Sequence, residues 1–504
     1  MYQKMAADKE RQLEILQKVT KEAERFFAQR ETGKALPIWE RQPLRHISDE
    51  GLGAEGAMDL FVKEYSKGLA LNSGSRFFGF VIGGVTPAAL AGDWMTSLYD
   101  QNAFGEIDCM DRQIEDEAID GLKELLGLRS DFLGSFTSGA TMATTNALAC
   151  AREWAAVRQG KTANDGIYGL ERPVVLSAFA HASIYKGLSI LGLGRNSIIE
   201  YGKLPGRDCG DVAKLEAELE KARGKAVIVI ANMGTASSGD LDDLRAIADL
   251  KKKYPFWLHV DAAVGSLAMA TPKYRGLYDG VEEADSITID GHKWLNMNYD
   301  CAIALVRREH REMQYRIYAQ ATRVNDSWTE ATPFEHLGNE GSRRFRALAV
   351  WMNLMAYGKE GFREMAERDC AMAAALADKL EASGVYKVHR PVLINGFAFT
   401  LNKGGVKTGA ADAAGGASGN VAAANAESRT GNAESGECMP ESSVTAEEMI
   451  ALERAIREDG TTYLNRADVC GVPHLRCSFS NWSIEEKDME QVADALIRIG
   501  RKFV

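Results

Sequence analysis

The chain has 504 residues, a length that predicts two or three domains. Of these residues, 45% are hydrophobic and 26% are charged, which is ordinary for a globular enzyme. The net charge of −11 argues against a nucleic-acid partner, because phosphate binding depends on Lys and Arg. The eight cysteines include no CxxC pair, so neither a zinc site nor a disulfide framework is indicated, and no segment is long and apolar enough to span a membrane.

The N-terminal segment carries mixed charges instead of an apolar run, so we expect no signal peptide and a cytoplasmic protein with reduced thiols. Residues 8–30 space apolar side chains among charges at the period of an amphipathic helix. Such a helix packs either on a partner subunit or on the rest of its own chain. Residues 76–87 are apolar, aromatic and glycine-rich, which suits a loop near a ligand and equally a loop against the core.

Three further segments place polar residues at the end of a strand or the start of a helix. Residues 136–148 lead small residues into an apolar helix, whose first N–H groups suit a phosphate, although the same residues also make an ordinary N-cap. A strand over 174–177 precedes His181, and the apolar strand over 227–232 precedes a turn at Thr235. The repeated alternation of strand and helix predicts an α/β fold with a mostly parallel sheet.

Two strand ends carry a carboxylate and a lysine. A short apolar strand ends in Asp261, and a second one, Ser286–Ile289, is followed by a polar turn that delivers Lys293 beside Trp294. The separation of 32 positions (293 minus 261) leaves room for one crossover between neighbouring strands. Such a pair suits pyridoxal phosphate, because the acid keeps the pyridine nitrogen protonated and a desolvated lysine carries the aldehyde as an imine. Each residue alone is also compatible with a structural role.

The segments around these strands resemble the group II pyridoxal-phosphate decarboxylases, a family that includes aromatic-amino-acid, glutamate and histidine decarboxylases. The resemblance runs from about residue 70 to the C-terminus apart from one insertion, and it rests on HVDAA (259–263), PKYR (272–275), GVEEADS (280–286), HKWL (292–295) and YDC (299–301). It implies an α/β architecture of fold type I, with a mostly parallel seven-stranded sheet in a large domain and a smaller α+β C-terminal domain.

The resemblance also implies domain limits and site residues. We expect an N-terminal helical and dimerisation segment at 1–95, the large domain that binds pyridoxal phosphate at 96–355, and the small domain at 356–504. Lys293 is expected to hold the cofactor, Asp261 to pair with its ring nitrogen, and His181 to stack on the ring and transfer protons. The implied cofactor-binding set is Ala140, Thr141, His181, Thr235, Asp261, Ala263, Asp290, His292 and Lys293. The implied substrate end comprises Phe80, Gly83, Phe104, Phe334 and His336, with Phe104 reaching the other subunit of a homodimer.

Two positions depart from the family pattern. Met142 stands where members commonly have Glu, which changes the local charge. In the interval 318–343, members carry a loop tyrosine that protonates the substrate carbon after carbon dioxide leaves. Counting back from the following arginine run assigns that place to Phe334, and no tyrosine lies between the ends of the interval. Either another group such as His336 donates the proton, or oxygen attacks and an aldehyde forms.

Residues 401–445 are rich in Gly, Ala, Ser and Asn, and no aromatic residue lies between Thr400 and Thr462. This composition predicts an inserted surface loop. The alternative is a disordered tether that takes part in an interaction. Strands at 396–399 and 474–480 and helices at 446–459 and 485–500 are predicted around it.

The main hypothesis is a homodimeric pyridoxal-phosphate enzyme that decarboxylates an L-amino acid to the amine and carbon dioxide. The alternatives are an oxygen-using aldehyde synthase, an aminotransferase or lyase on the same fold, and a non-catalytic scaffold. Four aromatic residues permit an aromatic substrate: Phe77, Phe78, Phe80 and Phe104. Two nearby acidic residues, Glu106 and Asp108, favour a cationic substrate instead. The sequence does not decide between these two classes of substrate.

Overall fold

The computed structural model describes residues 1–40, 43–102, 110–319, 334–404 and 444–504. The helices of the described chain are α1 (Gln3–Glu10), α2 (Gln12–Thr32), α3 (Gly53–Glu64), α4 (Pro87–Tyr99), α5 (Met110–Leu126), α6 (Ala140–Val157), α7 (Ala182–Ile190), α8 (Val212–Lys221), α9 (Leu244–Leu250), α10 (Pro272–Arg275), α11 (Arg311–Tyr318), α12 (Arg346–Ala382), α13 (Ala446–Asp459) and α14 (Glu486–Gly500). The strands are β1 (Phe132–Thr137), β2 (Val174–Ser177), β3 (Ile198–Glu200), β4 (Val227–Asn232), β5 (Trp257–Asp261), β6 (Ser286–Asp290), β7 (Ala302–Arg307), β8 (Tyr386–Val388), β9 (Gly396–Leu401), β10 (Asn465–Val469) and β11 (Val472–Ser478).

Strands β1 to β7 form one sheet in the order β1-β7-β6-β5-β4-β2-β3. The neighbours from β6 across to β3 pair in parallel, whereas β7 runs antiparallel to both β6 and β1. Every residue of β4, β5 and β6 is buried, as expected for central strands that are covered on both faces. The predicted α/β fold with a mostly parallel seven-stranded sheet is confirmed. The antiparallel β7 was not predicted.

The N-terminal helix predicted over residues 8–30 is in fact two helices. Arg11, with φ −117°, ends α1 and begins α2. Neither of these helices nor α3 contains a buried residue. Leu13, Leu16 and Phe27 remain exposed, so the apolar stripe of α2 is not fully covered by the rest of the described chain.

Strands β8 to β11 form a second, antiparallel sheet in the order β10-β11-β9-β8. Its core, which includes Phe397, Phe399 and Leu475, also takes in side chains of α12, α13 and α14. Helix α12 contributes to the cores of both sheets and is interrupted at Gly358, whose φ of +57° is left-handed. The predicted boundary at residue 355 lies close to this break, and the three domain limits stay predictions.

The first and last residues of the predicted insertion at 401–445 belong to regular elements. Leu401 ends β9, and Thr445 begins α13 through a reciprocal capping box with Glu448. Residues 405–443 lie outside the described chain, as do Phe104, Glu106 and Asp108. Among the helices that the structure describes, none has both the length and the apolar character needed to cross a membrane.

Candidate active site

The carboxyl ends of β4, β5 and β6 and the amino end of α6 surround one cavity of about 350 Å³. Parallel strands present their carboxyl ends at one edge of a sheet, and the cavity volume lies within the usual range for small-molecule sites. The nine residues predicted to bind the cofactor all line it: Ala140, Thr141, His181, Thr235, Asp261, Ala263, Asp290, His292 and Lys293. The set that the family resemblance implied therefore lies together in the fold, although its members lie up to 153 positions apart in the chain (293 minus 140).

Lys293 and His292 share one carboxylate. Lys293 Nζ lies 3.5 Å from Asp290 Oδ2, and His292 Nε2 lies 3.0 Å from Asp290 Oδ1. The Cys301 N–H donates to His292 Nδ1 at 3.3 Å, so the neutral ring carries its proton on Nε2, towards the carboxylate. The ring of Tyr299 stacks on His292 with 4.0 Å between centroids. Asp290 thus holds the lysine and the histidine at the edge of the cavity.

Asp261 is the last residue of β5, and its side chain is buried against the cavity. Its Oδ1 accepts the Ala263 N–H at 3.1 Å, and the other oxygen accepts no hydrogen bond within the described part of the chain. Two positions earlier on the same face of the strand lies His259, which is fully buried; burial lowers the pKa of His259 to about 4. His259 is therefore neutral at pH 7 and leaves the negative charge of Asp261 available to a cation in the cavity.

His181 is the residue before α7, and its Nδ1 lies 2.8 Å from Ser183 Oγ and accepts the Ser183 N–H at 3.3 Å. Partial burial of the ring lowers the pKa of His181 below its usual value, while the residue stays accessible from the cavity. Asp261 opposes this shift, whereas Lys293 and Arg476 strengthen it. A neutral imidazole of fixed orientation therefore lines the cavity at pH 7.

Helix α6 begins at Ala140 directly after Gly139, and no side chain of the described residues caps its first turn. The N–H groups that open a helix lack intrahelical partners and carry partial positive charge, so they form an anion site. The preceding N–H, that of Ser138, donates to Glu340 Oε1 at 3.2 Å. Glu340 Oε2 in turn accepts from Arg346 Nη1 at 3.0 Å. Glu340 therefore places a carboxylate beside the loop that leads into α6.

The turn after β4 presents Thr235 and Ala236 to the cavity. The Asp240 N–H donates to Thr235 Oγ1 at 3.1 Å, and Arg207 binds both Asp240 oxygens at 2.8 and 2.5 Å. Arg476, on β11 of the small sheet, donates to the Ala236 carbonyl. The turn is therefore fixed from within the large sheet and also joined to the small one.

Of the predicted substrate residues, Phe104 lies outside the described chain, and the four that the structure describes are not among the residues that line the cavity: Phe80, Gly83, Phe334 and His336. The Gly83 N–H donates to the His292 carbonyl at 3.3 Å, and a Cβ at Gly83 would collide with the Lys293 carbonyl oxygen. Phe80 has a left-handed φ of +58° and a side chain that is 55% exposed, and its ring centroid lies 5.6 Å from that of Tyr463. Gly83 therefore contacts the backbone of the lysine turn, whereas Phe80 stands at the surface.

Phe334 and His336 are both buried outside the cavity lining. The Phe334 ring lies between two guanidinium groups, 5.9 Å from that of Arg112 and 5.6 Å from that of Arg343. The edge of His336 meets the ring of Tyr315, with 5.0 Å between centroids. Neither side chain contributes to the cavity in this arrangement, and their predicted roles stay predictions.

With this geometry established, the family can be assigned. The family model described as "Pyridoxal-dependent decarboxylase conserved domain" matches residues 66–402. The chain belongs to the pyridoxal-dependent decarboxylase family. The predicted family and its cofactor, pyridoxal phosphate, are thus confirmed.

Similar proteins of this family are known. The chain is 29% identical over 304 residues to an L-2,4-diaminobutyrate decarboxylase of Acinetobacter baumannii, a match that covers 56% of this chain and 58% of that protein. It is 33% identical over 276 residues to an aromatic-L-amino-acid decarboxylase of Bacillus atrophaeus, which covers 54% of each. The matches thus span little more than half the length of these two relatives. The solved structure of Oryza sativa TDC with PLP and tryptamine has a TM-score of 0.81 at 22% identity, covers 98% of each chain, and shows the same fold.

The cavity fits the family's cofactor by the chemistry of its donors. An uncapped helix start suits the phosphate, a buried carboxylate with an oxygen free of hydrogen bonds suits a protonated ring nitrogen, and Lys293 lies at the same cavity. The sequence pattern did not single out Asn232, which ends β4, lines the cavity and donates from Nδ2 to the Phe179 carbonyl at 2.7 Å. The available signal was a polar residue that ends a buried strand, the same signal that identified Asp261.

Proposed function

We propose that this member of the family decarboxylates an L-amino acid to the amine and carbon dioxide, with pyridoxal phosphate as cofactor. The observation that carries the proposal is the meeting of Lys293, Asp261 and the start of α6 in one cavity. When bound, the cofactor supplies an electron sink for the electron pair released as the carboxylate carbon departs. The overall reaction breaks the bond between Cα and the carboxylate, releases carbon dioxide and returns one proton to Cα.

Each cavity residue takes one task in this proposal. Lys293 would hold the cofactor through its amine, and Asp290 holds that amine at the cavity edge. Asp261 keeps the ring nitrogen protonated through its oxygen that is free of hydrogen bonds. The N–H groups of Ala140 and Thr141 bind the phosphate.

The substrate also needs a group that binds its carboxylate and a group that exchanges a proton. Arg476 does not itself line the cavity, but it is our candidate for the first role because its partly buried guanidinium contacts the carbonyl of Ala236, which does. This guanidinium has no carboxylate within ion-pair distance in the described part of the chain. A cation in a partly dry site gains from an anionic partner, which the substrate carboxylate supplies. His181 and Lys293 both carry N–H groups beside the cavity, so they are the proton-exchanging residues of this proposal.

The oxygen-using alternative rests on the assignment of Phe334 to the place of the loop tyrosine. Because Phe334 is buried between two arginines outside the cavity, its position adds no support to that alternative. The product of the reaction, an amine or an aldehyde, distinguishes decarboxylation from the oxygen-using alternative.

The test is mass spectrometry of the products after incubation of the cofactor-loaded protein with single amino acids. Because the relatives are named for L-2,4-diaminobutyrate and aromatic amino acids, the panel includes these substrates beside the common amino acids. An amine with carbon dioxide from one of them supports the proposal and names the substrate. An aldehyde with ammonia and peroxide refutes simple decarboxylation, and a keto acid would show amino-group transfer instead.

We further propose a cytoplasmic homodimer in which the two chains share their active sites. The support is the exposed apolar surface at the N-terminus: α1, α2 and α3 bury no residue within the chain, and α4 exposes Trp94, Leu98 and Tyr99. Analytical ultracentrifugation measures the assembly, and a monomer at micromolar concentration would refute this part of the proposal.

A further inference from the structure

We infer that Asn296 is a positioning residue that fixes the direction in which Lys293 enters the cavity. This inference rests on the proposed function, in which Lys293 carries the cofactor. Asn296 lies three positions after the lysine, is fully buried, and does not line the cavity. It therefore acts through the backbone of the turn.

Within the turn, Asn296 fixes the backbone that directly follows the lysine side chain. Its N–H donates to the Lys293 carbonyl at 3.0 Å, and its Nδ2 donates to the Trp294 carbonyl at 2.8 Å. Its φ of +57° lies in the left-handed region, where Asn is tolerated better than most residues with a side chain. The backbone conformation and the two hydrogen bonds together define one shape for the turn.

From outside the turn, Asn296 is held by two segments distant in the sequence. The Thr86 N–H donates to the Asn296 carbonyl at 3.3 Å, and the Trp482 N–H donates to Asn296 Oδ1 at 2.9 Å. The indole of Trp482 also donates to the Val85 carbonyl at 3.0 Å, which ties these two segments to each other. The segment around Trp482 therefore contacts the turn that carries Lys293 through the amide side chain of Asn296, beside the contact that Asp369 makes with the indole of Trp294.

The reactivity of Lys293 depends on how firmly the backbone of its turn is held. The lysine stem has four carbons, and condensation with an aldehyde requires the amine to approach the carbonyl carbon from a defined direction. If Asn296 is truncated, the Trp294 carbonyl and the Trp482 N–H both lose their partner, and the turn is held less tightly next to the lysine. A residue needed only for folding would lower stability and leave the reactivity of the folded protein unchanged.

The test compares Asn296→Ala and Asn296→Gly with the matched control Asn395→Ala. Asn395 is also fully buried and also donates its amide to a backbone carbonyl, that of Phe479 at 2.7 Å, at the edge of the small sheet. The glycine variant keeps the left-handed backbone accessible if the alanine variant fails to fold. For each cofactor-free variant, the rate of attachment of pyridoxal phosphate is measured by borohydride trapping and peptide mapping, and unfolding is measured in urea.

We expect both Asn296 variants to slow attachment at Lys293 on the order of 10- to 100-fold, while Asn395→Ala loses comparable stability and keeps the rate within about twofold. Equal slowing in the control, or unchanged rates in the Asn296 variants, overturns the inference. Trapping of the cofactor on a different lysine in the unmodified protein would instead refute the proposed role of Lys293, so the two failures are distinguishable.

Discussion

The buried His259 makes the stability of this protein fall as the pH is lowered. Burial lowers the pKa of His259 to about 4, against about 6.5 for an exposed histidine, and the charge of Asp261 offsets only part of the effect. As the pH falls below 6.5, the unfolded chain binds a proton at this position that the folded chain does not bind until pH 4. The contribution of His259 to stability is therefore complete above pH 6.5 and is lost progressively between pH 6.5 and pH 4.

The size of this loss follows from the same two pKa values. Between pH 7.5 and pH 4.5 it amounts to about 2–3 kcal/mol for this single group, with no reduction for solvent screening because the side chain is fully buried. Other groups titrate in the same range, so the quantity of interest is the difference between the unmodified protein and His259→Gln, which carries no titratable group at this position.

The assay is urea unfolding of the cofactor-free protein at both pH values and at one protein concentration. The unmodified protein should lose about 2–3 kcal/mol more than His259→Gln over this interval. The matched control is His46→Gln, since His46 is exposed, and it should behave as the unmodified protein. If His259→Gln loses as much stability as the unmodified protein, the depressed pKa does not exist and the reasoning fails.

Three further outcomes are expected. Lys293→Ala should carry no borohydride-reducible cofactor, whereas Lys252→Ala, a change at a side chain that is 79% exposed, should carry it at the normal level; a reducible cofactor in the first variant would exclude the role of Lys293. Asp369 is fully buried, burial raises its pKa well above the usual value, and it accepts the indole N–H of Trp294 at 2.7 Å. Asp369→Ala should therefore cost about 1–3 kcal/mol by urea unfolding, and Asp369→Asn should cost less; equal costs would contradict the hydrogen-bonding role. Mixing inactive Lys293→Ala with Phe104→Ala chains should restore activity if Phe104 completes the partner's site, and a mixture that stays inactive would contradict sharing.

The cofactor cavity was predictable because its signals are local. A run of apolar residues that ends in one polar residue describes both a buried strand and the edge where its last side chain emerges, and this identified Asp261. The approach of Arg476 to the turn at Ala236 spans 240 positions and leaves no local trace in the sequence. The network of Arg207 and Asp240 that holds the same turn was missed for the same reason.

The substrate end was less predictable, because an aromatic residue suits a pocket wall and a hydrophobic core equally well. Phe77 and Phe78 are 3% and 1% exposed and pack into two separate hydrophobic clusters, so they are core residues. The neighbouring Phe80 is exposed. Phe80 and Val81 have a left-handed backbone, a conformation that ordinary propensities do not predict for Phe or Val, so the direction of the Phe80 side chain could not be predicted.

The antiparallel direction of β7 has a consequence for how the turn that carries Lys293 tolerates change. Asp290 and Ala302 face each other in the β6–β7 ladder, and Cys301 accepts hydrogen bonds from Gly291 and His292 just above that pair. Residues 291–301, which carry Lys293, thus form a loop whose two ends are joined by hydrogen bonds at the end of the β6–β7 ladder. Adding or removing one residue in this loop would displace the lysine without moving either strand. We therefore expect selection to hold the length of this loop more tightly than the identity of most of its residues.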